Sequence, residues 1–171
     1  PEDMKYFKEK TIGSKMNAII MGYNTWKSIG KILKDRINII IDRNVDNGTS
    51  NDQLKPDNSY FINNLHNAII SCKQQDNIND IWIIGGQSVY LEAIERDDID
   101  NIYITKIDIS CDGNKYFPRN LVNYNLKMSE RSDKDPELTY LVYERNSKET
   151  QYLQLIEKVL SKGIPKDDRT G

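Results

Sequence analysis

The chain is poor in the residues that build metal centres and covalent scaffolds: one histidine and two cysteines in 171 residues. A lone His66 excludes a histidine-rich metal site and any catalysis that needs two imidazoles, and no metal is expected. Cys72 and Cys111 cannot make a disulfide framework, which reads as a protein of a reducing cytosol. Long apolar runs are absent. Ile39-Ile40-Ile41 and Ile81-Trp82-Ile83-Ile84 fall far short of the roughly 20 residues a bilayer demands, so no membrane association is expected. Charge of one sign is missing too: Lys+Arg number 24 against 26 Asp+Glu, a net charge of −2. Such a balance supplies no field to gather DNA or RNA, so nucleic acid is not an expected partner. No signal or transit sequence is read at the start, and Pro1 rather than Met opens the chain. With residues 166–171 ending without closing structure, the chain reads as a piece cut at both ends.

What is present alternates. Residues 1–10 read as a helix, with proline in the first turn and Glu2 and Asp3 at the positive end of its dipole. Strand-like runs follow at 17–22, 36–41 and 59–62, the second rich in β-branched residues, separated by polar turns. A helical turn is read around 25–29, and an Asn/Asp/Gly-rich loop over 42–58. Apolar residues at Leu65, Ala68, Ile69 and Cys72 have helical spacing. Residues 80–84 form a continuous apolar strand, the pattern of burial on both faces in a parallel sheet, leading into a helix over 87–95. A strand at 101–109 and an antiparallel pair at 125–131 and 138–145 complete the series. Strands alternating with helices predict an α/β domain: a mainly parallel sheet flanked by helices, with an antiparallel C-terminal hairpin. After Arg145 the pattern changes to an amphipathic helix over 149–160, ended by Gly163 and Pro165, and a charged loop. That stretch cannot make a core alone, so a domain boundary is placed near 146–150.

Two places carry chemical signals. Ile83-Ile84-Gly85-Gly86-Gln87-Ser88-Val89-Tyr90 is a strand that ends in two glycines and opens a helix at once. It is either a phosphate site on a helix N-terminus or a tight strand-to-helix turn. Gly22-Tyr23-Asn24-Thr25-Trp26 repeats the arrangement. Ligands of open α/β sheets bind at the carboxyl ends of strands, so the pair suggests an extended dinucleotide. The G-x-G-x-x-G fingerprint of the common dinucleotide folds is lacking. Asp3 and Phe7, four residues apart, share a helix face; the acid is either a cap or a working carboxylate beside an aromatic ring. His66 reads as solvated, Cys72 as core, Cys111 as an unactivated loop thiol, Trp26 and Trp82 as core, and Asp97-Asp98 as a solvated turn.

Colinear segments then carry a resemblance. Residues 1–8 (P-E-D-M-K-Y-F-K), 20–29 (I-M-G-Y-N-T-W-K-S-I), 36–38 (R-I-N), 82–90 (W-I-I-G-G-Q-S-V-Y), 103–108 (Y-I-T-K-I-D) and 116–118 (Y-F-P) resemble the dihydrofolate reductase family across residues 1–146. Residues 147–171, with Tyr152-Leu153 and K-D-D-R-T-G at 166–171, resemble a linker and the first helix and phosphate loop of thymidylate synthase. The order is that of the fused bifunctional enzymes.

The resemblance implies NADPH-dependent reduction of 7,8-dihydrofolate, with dUMP and 5,10-methylenetetrahydrofolate used by a synthase part that forms homodimers. It implies Asp3 and Thr105 as the catalytic acid and its hydroxyl partner; a helix beside an apolar strand edge would desolvate that carboxylate, which suits proton delivery. Met4, Phe7, Ile29 and Leu33 would wall the pterin and aminobenzoyl groups, and Arg36 would pair with the glutamate carboxylate. Gly22, Tyr23, Asn24, Thr25, Asp42 and Arg43, with Ile84, Gly85, Gly86, Gln87, Ser88, Val89 and Tyr90, would hold the cofactor. Arg169 would bind the nucleotide phosphate.

Two positions depart from the family pattern: Tyr23 stands where a cation is common, and Asp42 where a serine is. A carboxylate there would repel a ribose phosphate, with Arg43 next door to offset it. The family's first strand is also missing, which would leave 81–84 and 102–107 without a partner between them, so the isolated chain is expected to fold poorly or be inactive. Two other functions stay open. A same-fold reductase of another heterocycle is disfavoured by Asp3, Thr105 and Arg36, whereas a non-catalytic folate- or nucleotide-binding scaffold for the synthase is kept alive by Tyr23 and Asp42.

Overall fold

The computed structural model describes residues 1–45 and 58–162. Four strands make a parallel sheet in the order β3-β2-β1-β4: β1 Met16–Gly22, β2 Arg36–Ile41, β3 Ser59–Ile62 and β4 Ile78–Ile83. Between and before them lie α1 Glu2–Thr11, α2 Tyr23–Ile29 and α3 Leu65–Lys73, and α4 Gln87–Ile94 follows β4. Three further strands, β5 Asn101–Ile107, β6 Tyr124–Arg131 and β7 Leu138–Arg145, make an antiparallel sheet in the order β5-β7-β6. Helix α5, Lys148–Lys162, comes last. The expected α/β architecture is therefore present: parallel sheet, flanking helices and antiparallel C-terminal part. The hairpin is β6–β7, and β5 is added to the free edge of β7.

The core follows from the alternation of side chains along β1 and β2. Ala18, Ile20, Ile37 and Ile39 face α3 and α4, where they meet Leu65, Ala68, Ile69, Cys72, Val89 and Ala93. Ile19, Met21 and Ile40 face the other way, against Trp26, Ile29, Leu33, Phe61, Trp82 and Ile84. Each fully covered isoleucine contributes about 1.5–3 kcal/mol. Polar residues inside this core are bonded. Asn38 donates to Leu33 O at 2.9 Å and accepts from Leu33 N at 3.0 Å, which fixes the loop between α2 and β2. Asn17 donates to Thr11 O at 3.1 Å and accepts from Asp80 N, tying α1, β1 and β4 together.

Strand β4 departs from expectation. Its apolar run is only half-buried, with Asn79 and Asp80 exposed. The reason is its place: among the described residues β4 has β1 on one side only, and β5 is likewise the edge of its own sheet. The two edges are neighbours without being paired, and Trp82 meets Tyr103 ring to ring at 5.0 Å. Trp82 Nε1 is buried there without a hydrogen-bond partner among the described residues.

Two connections hold the sheets together. Helix α1 stacks Tyr6 on Tyr140 of β7 at 4.0 Å, while its last residue, Thr11, accepts from Arg36 of β2. Arg145 at the end of β7 donates to Ile99 O at 2.8 Å and to Arg96 O. Asp97-Asp98 is an exposed turn, as expected, and Asp98 within it also pairs with Arg96 and Lys73 at 2.8 and 2.9 Å. No helix among the described residues is long and apolar enough to cross a membrane.

Candidate functional site

The carboxyl ends of β1 and β4 meet. Gly22 N–H donates to Gly85 C=O at 2.8 Å, and Ile84 N–H donates to Ile20 C=O at 2.9 Å. Gly85 has φ +111°, a conformation side chains rarely adopt, and the Gly85–Gly86 peptide is cis. At Gly86 a Cβ would stand 2.9 Å from Thr25 Oγ1, so glycine is what allows the start of α2 to lie against the start of α4. Gly22 likewise lies under Val89, whose Cγ2 would be 3.3 Å from an added Cβ. Helix α4 begins directly after Gly86 without a side-chain cap, which leaves its first N–H groups available to an anion.

These ends open into a cavity of about 970 Å³. It gathers nearly all of the cofactor-binding residues expected from the sequence: 22–25, Asp42, Arg43 and 86–90 line it. Gly85 lies just behind, covered by the Tyr90 ring. Ile84 turns instead into the apolar layer around Ile19, Met21 and Ile40. Burial raises the Tyr90 phenol above its ordinary pKa, and its ring meets Phe117 edge-on at 5.2 Å.

Several lining residues were missed. Asn63 and Asn64 follow β3, and the strand-end rule applied to a third strand would have found them. Lys115, Tyr116 and Phe117 close the side over α4, where Tyr116 N–H donates to Gln87 Oε1 at 3.1 Å. The Y-F-P segment at 116–118 was read as part of the family resemblance but was given no role in the site.

The second group of expected residues lies around α1 and the start of β2. Arg36 is 5% exposed. Its Nη1 donates to Thr11 Oγ1 at 2.6 Å, its Nε donates to Lys34 O at 3.1 Å, and the guanidinium lies 5.9 Å from the Phe7 ring. Desolvation lowers its pKa from the usual arginine value. Among the described residues no carboxylate is within ion-pair distance of it. Ile29 and Leu33 are half-buried on the same face of the sheet, Phe7 is half-buried and Met4 is exposed.

Asp3 is half-buried in the first turn of α1, less enclosed than expected. Thr105, opposite Tyr140 in the β5–β7 ladder, is half-buried too, and no hydrogen bond joins it to Asp3. The physical reason is that α1 meets that sheet through Tyr6 on Tyr140, the neighbouring strand. Arg169 lies outside the described residues.

What the geometry offers is thus a glycine-floored cavity fit for a phosphate-bearing ligand, and a separate buried cation fit for a carboxylate. The dihydrofolate reductase family model matches residues 1–146. Dihydrofolate reductase of Heliothis virescens is 34% identical over 124 residues, covering 68% of this chain and 65% of that protein. The corresponding protein of Sus scrofa is 32% identical, covering 85% of this chain and 84% of its own length. The bifunctional dihydrofolate reductase-thymidylate synthase of Paramecium tetraurelia is 26% identical over 99% of this chain and 37% of its own. Against the Heliothis protein, the chain spans less than two thirds of its relative's length.

Proposed function

The chain belongs to the dihydrofolate reductase family, and from that premise we propose that the protein reduces 7,8-dihydrofolate to tetrahydrofolate with NADPH. The observation that carries this reading is Arg36. A buried guanidinium with no carboxylate at ion-pair distance among the described residues is costly, and the cost is repaid if a ligand supplies the anion. The glutamate tail of a folate supplies a carboxylate that a guanidinium grips with two hydrogen bonds.

In this reading NADPH, when bound, supplies the hydride. Residues 22–25 and 85–90 would hold it: the glycines would permit close approach, and the uncapped N–H groups of α4 would be available to its diphosphate. Phe7, Met4, Ile29 and Leu33 form the apolar wall of the substrate site and exclude water from it. Asp3 delivers the proton to pterin N5, and Thr105 orients the acid and the pterin. Residues 147–171 are assigned to the start of a thymidylate synthase domain, with Arg169 on the phosphate of dUMP, 5,10-methylenetetrahydrofolate as its folate, and dimerisation through that domain. Support comes from the exposed apolar face of α5, with Tyr152, Leu153, Leu155, Ile156, Val159 and Leu160 uncovered. The alignment of bifunctional relatives along the whole chain supports it further. A cytoplasmic location belongs to the same reading.

The test is loss of reduced-nicotinamide absorbance with dihydrofolate, using the full-length gene product. Asp3→Asn is expected to lower turnover by about 10²- to 10⁴-fold near neutral pH. Arg36→Leu is expected to raise the KM for dihydrofolate with kcat little changed, the mark of lost uniform binding. Turnover indifferent to Asp3 would refute its role. A second reading, a folate- and nucleotide-binding scaffold, is favoured by the absence of a hydrogen bond between Asp3 and Thr105; NADPH binding without turnover would support it.

A further inference from the structure

Asp42 stands immediately after β2, and β2 runs parallel to β1 with Ile41 opposite Gly22. The carboxylate therefore flanks the glycine end of β1, in the wall of the cavity. In open parallel sheets an acid at this kind of strand end accepts a hydrogen bond from the ribose 2′-hydroxyl, whereas an arginine there serves a 2′-phosphate. Here both types are adjacent, and the structure treats them differently. Asp42 is fixed at both ends: its N–H donates to Ile62 C=O at 2.8 Å, and its Oδ1 accepts from Asn44 N–H and from Asn44 Nδ2, each at 3.0 Å. Arg43 is exposed and has no such anchor among the described residues. The charges lining the cavity cancel, with Asp42 and Glu92 against Arg43 and Lys115, and the neighbours Tyr23, Asn44, Asn63 and Asn64 are neutral. Among the described lining residues no net positive charge offsets a second phosphate group placed beside Asp42.

Resting on the dinucleotide reading of this cavity, we propose that Asp42 sets its nucleotide discrimination. The carboxylate accepts a hydrogen bond from a free adenosine-ribose 2′-hydroxyl and repels a 2′-phosphate, so that NADH serves as a ligand beside NADPH. A phosphate dianion about 4 Å from a carboxylate loses on the order of tenfold in affinity even in water-like surroundings.

The experiment is calorimetric titration of the full-length gene product with NADPH and with NADH, for the parent protein, Asp42→Asn and Asp42→Ser. Both substitutions remove the charge while keeping an acceptor for the Asn44 turn. The parent is expected to bind the two nucleotides within about tenfold of each other, and both variants to shift the ratio toward NADPH by about tenfold or more. A larger parental preference for NADPH, or a ratio indifferent to both substitutions, overturns the proposal. Failure of either nucleotide to bind the folded parent overturns the dinucleotide reading itself.

Discussion

Replacing Gly86 by alanine separates the two jobs this residue holds, packing and ligand approach. The added Cβ would stand 2.9 Å from Thr25 Oγ1, closer than real Cβ contacts. The backbone there, φ −83° and ψ −156°, suits alanine, so the penalty is steric rather than conformational. The obstacle belongs to a β-branched residue in the first turn of α2, which has few rotamers to escape into. Overpacking of this kind costs about 1–3 kcal/mol. At about 2–4 °C per kcal/mol for a domain of this size, Tm of the full-length gene product should fall by roughly 2–12 °C. Thr25→Ala removes the obstacle, so the Gly86→Ala/Thr25→Ala pair should regain most of the lost Tm, giving a coupling between the two sites. NADPH affinity should behave otherwise. The methyl group also stands at the mouth of α4, so the double variant should still bind about tenfold or more weakly than Thr25→Ala alone. Thermal unfolding and calorimetric titration of the four proteins would decide. An unchanged Tm in Gly86→Ala would refute the steric argument, and full recovery of binding in the double variant would refute the cradle.

Three further outcomes follow from the packing. Burial pushes the Cys72 thiol up to about 12 while Cys111 is exposed. One thiol should therefore react with a disulfide reagent at mildly alkaline pH in the native protein, and the second only after denaturation; two fast thiols would contradict the buried position of Cys72. The Arg96 hydrogen bond, with help from Lys73, holds the Asp98 carboxyl well below its ordinary value of 3.8. A depressed folded value means the stabilisation is present above the unfolded pKa and lost as pH falls below about 4. Because Asp98 is partly exposed, that loss is on the order of 1 kcal/mol, and Asp98→Asn should flatten the acid limb of a stability–pH profile. Finally, the 171 residues produced by themselves should lack a single sharp unfolding transition, since among the described residues β4 and β5 each leave one edge unpaired; a cooperative melt would count against this.

Much of the fold was legible because local pattern and tertiary place agree. The β-branched run of β2 lies inside the sheet, and the Leu65, Ala68, Ile69, Cys72 spacing of α3 faces the core. The strand-to-glycine-to-helix segments at Gly22 and Gly85–Gly86 were legible for a chemical reason, since few other residues can end a strand so close to a second backbone. The position of β4 was not. Its apolar composition matches an interior strand, but whether a strand is interior depends on what pairs with its far edge, which its own residues do not encode. The contact between Asp98 and Lys73 joins residues on different elements, and the Asp3–Thr105 relation depends on how α1 lies across a sheet formed about a hundred residues later. Lys115, Tyr116 and Phe117 reach the cavity through a loop without periodicity, where the Y-F-P segment marks the family but not the neighbour it packs on.

Helix α1 touches both sheets, and under the proposed reading this makes it a ruler. Asp3 stands at one end, and Thr11, which fixes Arg36, at the other. Eight residues of helix separate them, about 12 Å along a rod that does not stretch. A ligand that engages both ends must match that length, so molecules with the right head and too short a tail would be measured and released.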